Sequence, residues 1–423
     1  MQITNAGDLS NRLSIIWIGV LILTVAGTFV LVSPSSIKAS ELTYYFPPPG
    51  QSLSNQSQHQ PSEVGLSDSI VTNLTGKASR WALWRHGYLV HVEGNFNQNA
   101  EVKSLRKTLH ALTVGAAVKQ GKIPGIDQPV SVYQTELAGK DAQATWKHVM
   151  TQSASFDYPG CGDSTDYNPG EMWTYSDLNP YHLNHALAKA YGRVDYYDNY
   201  NLVLTEAYFN AIGMQGWSSQ TNTDGIRLVL DLEDMGRVGL LVVAGGVWNN
   251  VEVIPQGFIE ELEVKQTQGM QVNYQGCNDG TLGFLNPSQY PESPYGYFTW
   301  VNTDQDYYPG ASAAWAWGAG DGGYYILWNR NNGIVFTGVG VNFAPTSNGI
   351  PQIIEAGIIG PNPLAEGGSS STPSPSPVFS TTPTLTPNDP STPTPTSTRP
   401  PKSTKTPLPT PSSPTATKTP RSK

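Results

Sequence analysis

The chain has 423 residues, 38% of them hydrophobic and 10% aromatic, which is enough to bury a large core and excludes disorder throughout. Only 13% are charged and the net charge is −9, which argues against a nucleic-acid-binding protein, since that needs a basic face to displace counterions. The 42 glycines and 11 tryptophans point to loop-rich walls around an aromatic-lined cleft rather than to a helical bundle.

Residues 1–12 form a short leading segment. From Leu13 to Ser33 the chain carries no charge, and such a run is long enough to cross the ~30 Å hydrocarbon core as a helix. It is longer than the ~7–15 apolar residues of a secretory signal. Two readings stay open: an uncleaved membrane anchor, or a signal cut near Ile37-Lys38-Ala39. Either one exports the rest of the chain. Residues 34–43 then link to a single domain over 44–360.

Within that domain, Trp81–Arg85 and Tyr88–Glu93 on either side of His86-Gly87 read as a hairpin. After Ser104 a helix is expected, with Leu105, Leu109, Leu112 and Ala116 on one face and Gly121 closing it. A second helix is expected over Pro180–Tyr191, stopped by Gly192. Ile226–Val243 reads as a third, on its density of apolar residues. Tyr295–Val301, Ala313–Gly318, Gly322–Trp328 and Ile334–Asn342 read as strands, the last two joined by a turn at Asn329–Gly333. Strands first, helices in the middle and strands last is an α+β order, an antiparallel sheet flanked by helices whose two ends pair across the fold. Residues 361–423 hold 17 of the 34 prolines among Thr and Ser, and six Lys/Arg against Glu366 and Asp389. That composition predicts a disordered, extended tail, an inert spacer or a wall ligand.

Several chemistries are absent from the sequence. There is no Gly-x-Ser-x-Gly elbow, no His-Glu-x-x-His, and no Gly-rich loop ahead of a Lys-Ser/Thr pair. His182 and His185 lie three apart without an evident third ligand and read as structural. The sequence calls for no metal and no cofactor. Ser104-Leu105-Arg106-Lys107 remains, with serine and lysine on one side of a helix start. A buried lysine there can take the proton from the serine hydroxyl, beside a helix N-terminus that favours a developing oxyanion. The spacing alone is weak, since it also occurs at Ser35-Ser36-Ile37-Lys38, outside any fold. Its company strengthens it: Tyr175-Ser176-Asp177, just before a helix, offers a tyrosine able to relay a proton to a leaving group.

With these motifs the chain resembles the β-lactamase-related serine hydrolases, the group that includes class C β-lactamases, penicillin-binding carboxypeptidases, esterases and 6-aminohexanoate-oligomer hydrolases, the last branch most of all. The resemblance runs over about residues 44–345. It takes in Pro61–Leu66, the Ser104/Lys107 helix ending Gln120–Ile123, Asp127–Val130, Met150-Thr151, Trp173–Asp177, Asp234–Leu240 and Gly245–Trp248. It implies Ser104 as the acylated nucleophile, Lys107 as its base and Tyr175 as the second acid/base.

The family's third motif, His/Lys-x-Gly on an edge strand, falls on Trp315–Gly323 and has neither Lys nor His. Gly318 and Gly320 still allow close backbone approach, and Asp321 joins them as a candidate substrate contact. Asp177 stands where penicillin-recognising members have Asn, and an ionised Asp donates no hydrogen bond. Both departures predict neutral or amine-bearing esters, amides or peptides rather than anionic β-lactams, in a cleft near Trp300, Trp315, Trp317 and Tyr324. The alternative is a non-catalytic surface module of the same fold that binds wall peptide or glycan. Either protein has a small-molecule or peptide partner, the membrane through an uncleaved anchor, possible wall contact through the tail, and no nucleic acid. In an oxidising compartment Cys161 and Cys277 can pair, tying the loop before Tyr175 to the late loops.

Overall fold

The computed structural model describes residues 43–366 apart from 49, 54–55, 157–166, 195, 223–224, 274–292 and 343–348, and gives no side-chain detail at 197, 198, 221, 222 and 225. The chain divides into two units, Met1–Ser369 and Ser370–Lys423, and the described residues all belong to the first. The apolar run 13–33, both cysteines and the Pro/Thr/Ser-rich tail beyond Glu366 lie outside them. Among the described residues no helix is long and apolar enough to cross a membrane.

After a short helix α1 (Ser69–Leu74), strand β1 (Arg80–Arg85) turns straight into β2 (Tyr88–Glu93). The turn works because His86 (φ 50°) and Gly87 (φ 83°) both take the left-handed conformation that matches strand twist. Strand β3 (Ala100–Glu101) leads through a 3₁₀ turn, Lys103–Leu105, into α2 (Arg106–Lys119). Helix α3 (Trp146–Met150) is capped by Thr145, whose hydroxyl accepts from the His148 N–H. Next come β4 (Met172–Thr174) and α4 (Leu178–Ala190). Helix α5 (Tyr196–Leu204) passes through a π turn, Thr205–Phe209, into α6 (Asn210–Ile212).

The expected helix Ile226–Val243 is two elements. Gly225–Leu230 is strand β6, paired antiparallel with β5 (Ser218–Asn222), and only Leu232–Val243 is helix, α7. Asp231 divides them: its backbone is extended and its carboxylate accepts from the Asp234 N–H at 2.8 Å, an N-cap that starts the helix there. A small hairpin, β7 (Val247–Trp248) and β8 (Val251–Glu252), precedes α8 (Gln256–Leu262) and β9 (Gln271–Asn273), which runs parallel to β4. The chain ends with β10 (Trp300–Val301), β11 (Trp315–Gly320), β12 (Tyr324–Asn329), β13 (Ile334–Val339), α9 (Ile350–Ala356) and α10 (Pro363–Glu366). Tyr295–Val301 is thus mostly turn rather than strand, bent at Phe298 (φ 49°).

The main sheet is antiparallel in the order β10-β11-β12-β13-β1-β2, so the last strand pairs with the first, from Arg80↔Val339 to Arg85↔Ile334. Every residue of β1 is buried, because both faces are covered. On one face α7 lies so close that a Cβ at Gly239 would come within 2.4 Å of Val335 Cγ1. That face also carries α2 against β11. On the other, Glu355 of α9 accepts from Trp315 Nε1 at 2.8 Å. Trp315 and Trp317 are both fully buried, and Trp317 packs on Tyr307 and Tyr308. These two tryptophans belong to the core and not to a cleft: strand alternation turns them to the face opposite α2.

Candidate active site

Three pieces of chain converge on Ser104. The first is the turn that carries it. Lys103 takes φ 51°, uncommon for a residue with a side chain, and Ser104 follows half-buried within the 3₁₀ turn ahead of α2. One turn on, Lys107 is 1% exposed and its Nζ donates to Ser104 Oγ at 3.1 Å. The serine and lysine of the sequence motif therefore meet directly.

The second piece is the end of β11. A Cβ at Gly318 would lie 2.5 Å from Leu105 Cδ1 and 2.6 Å from Thr108 Oγ1; at Gly320 it would lie 2.1 Å from Val102 O and 3.1 Å from Leu105 N. Only glycine lets the strand pass this close to the nucleophile's turn. Strand β10 pairs only with Ala316 and Trp317, and Asn302 N–H donates to Trp315 O on that same edge. By alternation the Ala319 peptide also points to that edge, where no strand covers it among the described residues. Asp321, in contrast, is exposed in the β11–β12 turn and its carboxylate accepts from the Gly322 N–H at 2.9 Å. Among the described residues no contact joins it to Ser104.

The third piece is the second motif. Strand β4 delivers Tyr175, whose ring stacks on Trp300 (centroids 6.2 Å apart, planes at 22°) and meets Tyr295 edge-on. Lys107 Nζ lies 4.5 Å from the Tyr175 ring centroid. The ring face, not the hydroxyl, meets the ammonium: among the described residues no hydrogen bond joins the Tyr175 hydroxyl to Ser104 or Lys107.

Asp177 sits at the start of α4, its side chain 59% exposed, and takes two cations on one oxygen: Lys107 Nζ at 2.6 Å and Arg106 Nη2 at 3.2 Å. The Lys107 ammonium, joined by the Arg106 guanidinium, outweighs the loss of solvation and holds its carboxyl down at about 2. Asp177 is therefore ionised, yet it does not make the site acidic, because both neighbours offset its charge. Any preference of the site for neutral or amine-bearing substrates would then have to come from this balance of charges rather than from Asp177 alone.

Further along α2, His110 is fully buried between Tyr200 (Nδ1 to the hydroxyl, 3.2 Å) and Asn184 (Nε2 to Nδ2, 3.4 Å). Burial, with Arg106 and Lys107 nearby, pushes it well below its ordinary range and keeps it neutral. His182 pairs with Gln134 at 3.0 Å and packs on Phe156; burial lowers it to about 4, consistent with a structural role. Among the described residues no three His, Cys, Asp or Glu side chains gather as a metal site.

Sequence reasoning missed Arg106 and the open Ala319 edge. Arg106 was in view between Ser104 and Lys107, but its role depends on a carboxylate 71 positions away. The Ala319 edge depends on how early β10 stops, which no motif encodes.

No family model matches the sequence, and no curated protein does. Solved structures do. A Bacillus anthracis protein provisionally named a 6-aminohexanoate-dimer hydrolase is 14% identical, with 75% of this chain and 87% of that one covered and a TM-score of 0.52. A Bacteroides dorei protein provisionally named a β-lactamase is 17% identical over 70% of this chain and 95% of its own, with a TM-score of 0.49. EstCE1, described as a hydrolase with promiscuous acyltransferase activity, is 13% identical over 69% of this chain and 99% of its own, also at 0.49. At such identities the likeness is one of fold, and the Bacillus comparison carries it: this chain has the fold of the β-lactamase-related serine hydrolases.

Proposed function

We propose that the protein is a serine hydrolase that cleaves esters or amides through an acyl-serine intermediate. One observation carries the reading: a lysine 1% exposed places its Nζ 3.1 Å from the hydroxyl of a serine that β11 approaches through two glycines. Ser104 Oγ attacks the carbonyl carbon while its proton passes to Lys107 Nζ. The ammonium formed is held by the Asp177 carboxylate at 2.6 Å. The Ser104 and Ala319 N–H groups stabilise the oxyanion, and once the Tyr175 ring, which here turns its face to Lys107, swings its hydroxyl within reach, Tyr175 passes a proton to the leaving group as the carbon–leaving-group bond breaks and takes one back from the Lys107 ammonium. Water then repeats the sequence on the acyl-serine and restores the Ser104 hydroxyl.

The 14%-identical Bacillus protein, whose provisional name describes an amide hydrolase, supports this class but not a particular substrate. The apolar run 13–33 and the Pro/Thr/Ser tail support an exported enzyme, anchored or secreted. The Lys107–Asp177 ion pair favours the second reading, a binding module without catalysis, because an ammonium cannot accept a proton. Turnover of a nitrophenyl ester decides between them. The wild type should be active, and Ser104→Ala, Lys107→Ala and Lys107→Arg inactive, since arginine keeps the charge but does not deprotonate. A wild type without turnover, or an active Ser104→Ala, refutes the enzyme.

A further inference from the structure

Gln152 follows α3 with φ 59°, in the left-handed region, although it is a long side chain and 1% exposed. Both of its oxygens are used on the segment that carries Tyr175. The backbone carbonyl accepts from Thr174 N–H at 2.9 Å, and Oε1 accepts from Ser176 N–H at 3.1 Å and from Asn179 Nδ2 at 2.7 Å. One residue thus grips the residue on each side of Tyr175 and ties them to the first turn of α4. The left-handed backbone is what lets carbonyl and side chain serve the same short stretch.

The same corner also reaches α2. Met150 O accepts from Phe298 N–H at 2.7 Å, and Phe298 O accepts from the hydroxyl of Thr108, the residue after Lys107, at 2.7 Å. Phe298 is itself left-handed, at φ 49°. Hydrogen bonds and the short backbone stretch 150–152 therefore link the residues on either side of Tyr175, through Phe298, to the helix that bears Lys107. Two strained residues lie along this link, where a looser connection would need neither.

We propose that Gln152 is a positioning residue: through its amide oxygen it sets the place of Tyr175 relative to Ser104 and Lys107, and so governs acyl transfer without touching substrate. The inference rests on the reading of Tyr175 as proton donor to the leaving group. A group needed only in the transition state lowers kcat when displaced and leaves KM in place, whereas loss of fold lowers the amount of active enzyme. Glycine at 152 accommodates the backbone while removing the amide; methionine keeps the volume and removes the acceptor.

The experiment measures nitrophenyl ester kinetics and melting for the wild type, Ser104→Ala, Gln152→Gly and Gln152→Met, normalised to the folded fraction. Gln152→Gly should melt as cooperatively as the wild type, with kcat about 100-fold lower, the loss expected from a reacting group displaced by about 1 Å, and KM within about threefold. If Gln152→Gly does not fold, Gln152→Met is read by the same criterion. A Ser104-dependent wild type with normalised kcat unchanged in both variants overturns the role of Gln152 alone. A wild type with no Ser104-dependent turnover overturns the hydrolase reading and this inference with it.

Discussion

Replacing Gly320 by alanine tests the meeting of β11 with the nucleophile's turn. The added Cβ would lie 2.1 Å from Val102 O and 3.1 Å from Leu105 N, both backbone atoms of the turn that holds Ser104. Ordinary contact requires the strand and the turn to part by roughly 1 Å, and neither obstacle is a flexible side-chain tip. Overpacking of this kind costs about 1–3 kcal/mol, or about 1–5 °C in Tm for a domain of this size. Because the displaced backbone carries the nucleophile, kcat/KM for a nitrophenyl ester should fall about 100-fold, more than the stability loss alone explains. Gly125→Ala is the control, with nothing within 4 Å of its Cβ and no positive φ, and it should leave rate and melting unchanged. A Gly320→Ala protein with wild-type rate and Tm would refute the packing of strand against turn.

Asp234 is fully buried and burial, with Asp231 close by, raises its carboxyl to about 7. A carboxyl raised in the fold stabilises below its unfolded pKa, near 4, and loses that contribution as pH rises through about 7, so Asp234→Asn should flatten the pH dependence by up to ~4 kcal/mol between pH 4 and 8. Urea midpoints across that range check it, and parallel profiles for the two proteins would contradict it. Asp177→Asn removes the carboxylate shared by Arg106 and Lys107 and leaves two cations at the site. The ratio of kcat/KM for an anionic ester to that for a neutral one should rise about 2–5-fold, the scale of one partly screened charge contact, and no change in the ratio would remove Asp177 from substrate discrimination.

Much of the frame was legible because local chemistry decided it. His86-Gly87 set the hairpin, and the terminal pairing of β13 with β1 followed from the strand–helix–strand order. Ser104 and Lys107 were legible because three-residue spacing brings two side chains together at a helix start wherever that helix packs. One failure comes from apolar density, which does not separate a buried strand from a buried helix. Ile226–Val243 hid a boundary at Asp231, although Asp231-Leu232-Glu233-Asp234 carries an N-cap signal that marks it. Trp315 and Trp317 were assigned to a cleft on composition, while alternation along β11 sends them into the core and turns Gly318 and Gly320 toward the nucleophile. The charge balance around Asp177 was out of reach, because it depends on Arg106 and Lys107 reaching one oxygen across the fold. Asp321 was chosen for its place in the third motif, and its use within its own turn is visible only once the backbone is placed. Cys161 and Cys277 lie outside the described residues.

The central claim is that Ser104 is a nucleophile activated by Lys107, and covalent trapping tests it most directly. The chain is incubated with a fluorophosphonate, its intact mass is measured, and the modified peptide is mapped. The account predicts one adduct per chain, located on Ser104, formed by the wild type and absent from Ser104→Ala and Lys107→Ala proteins that melt cooperatively. No adduct on the folded wild type, or an adduct on another serine, would contradict it.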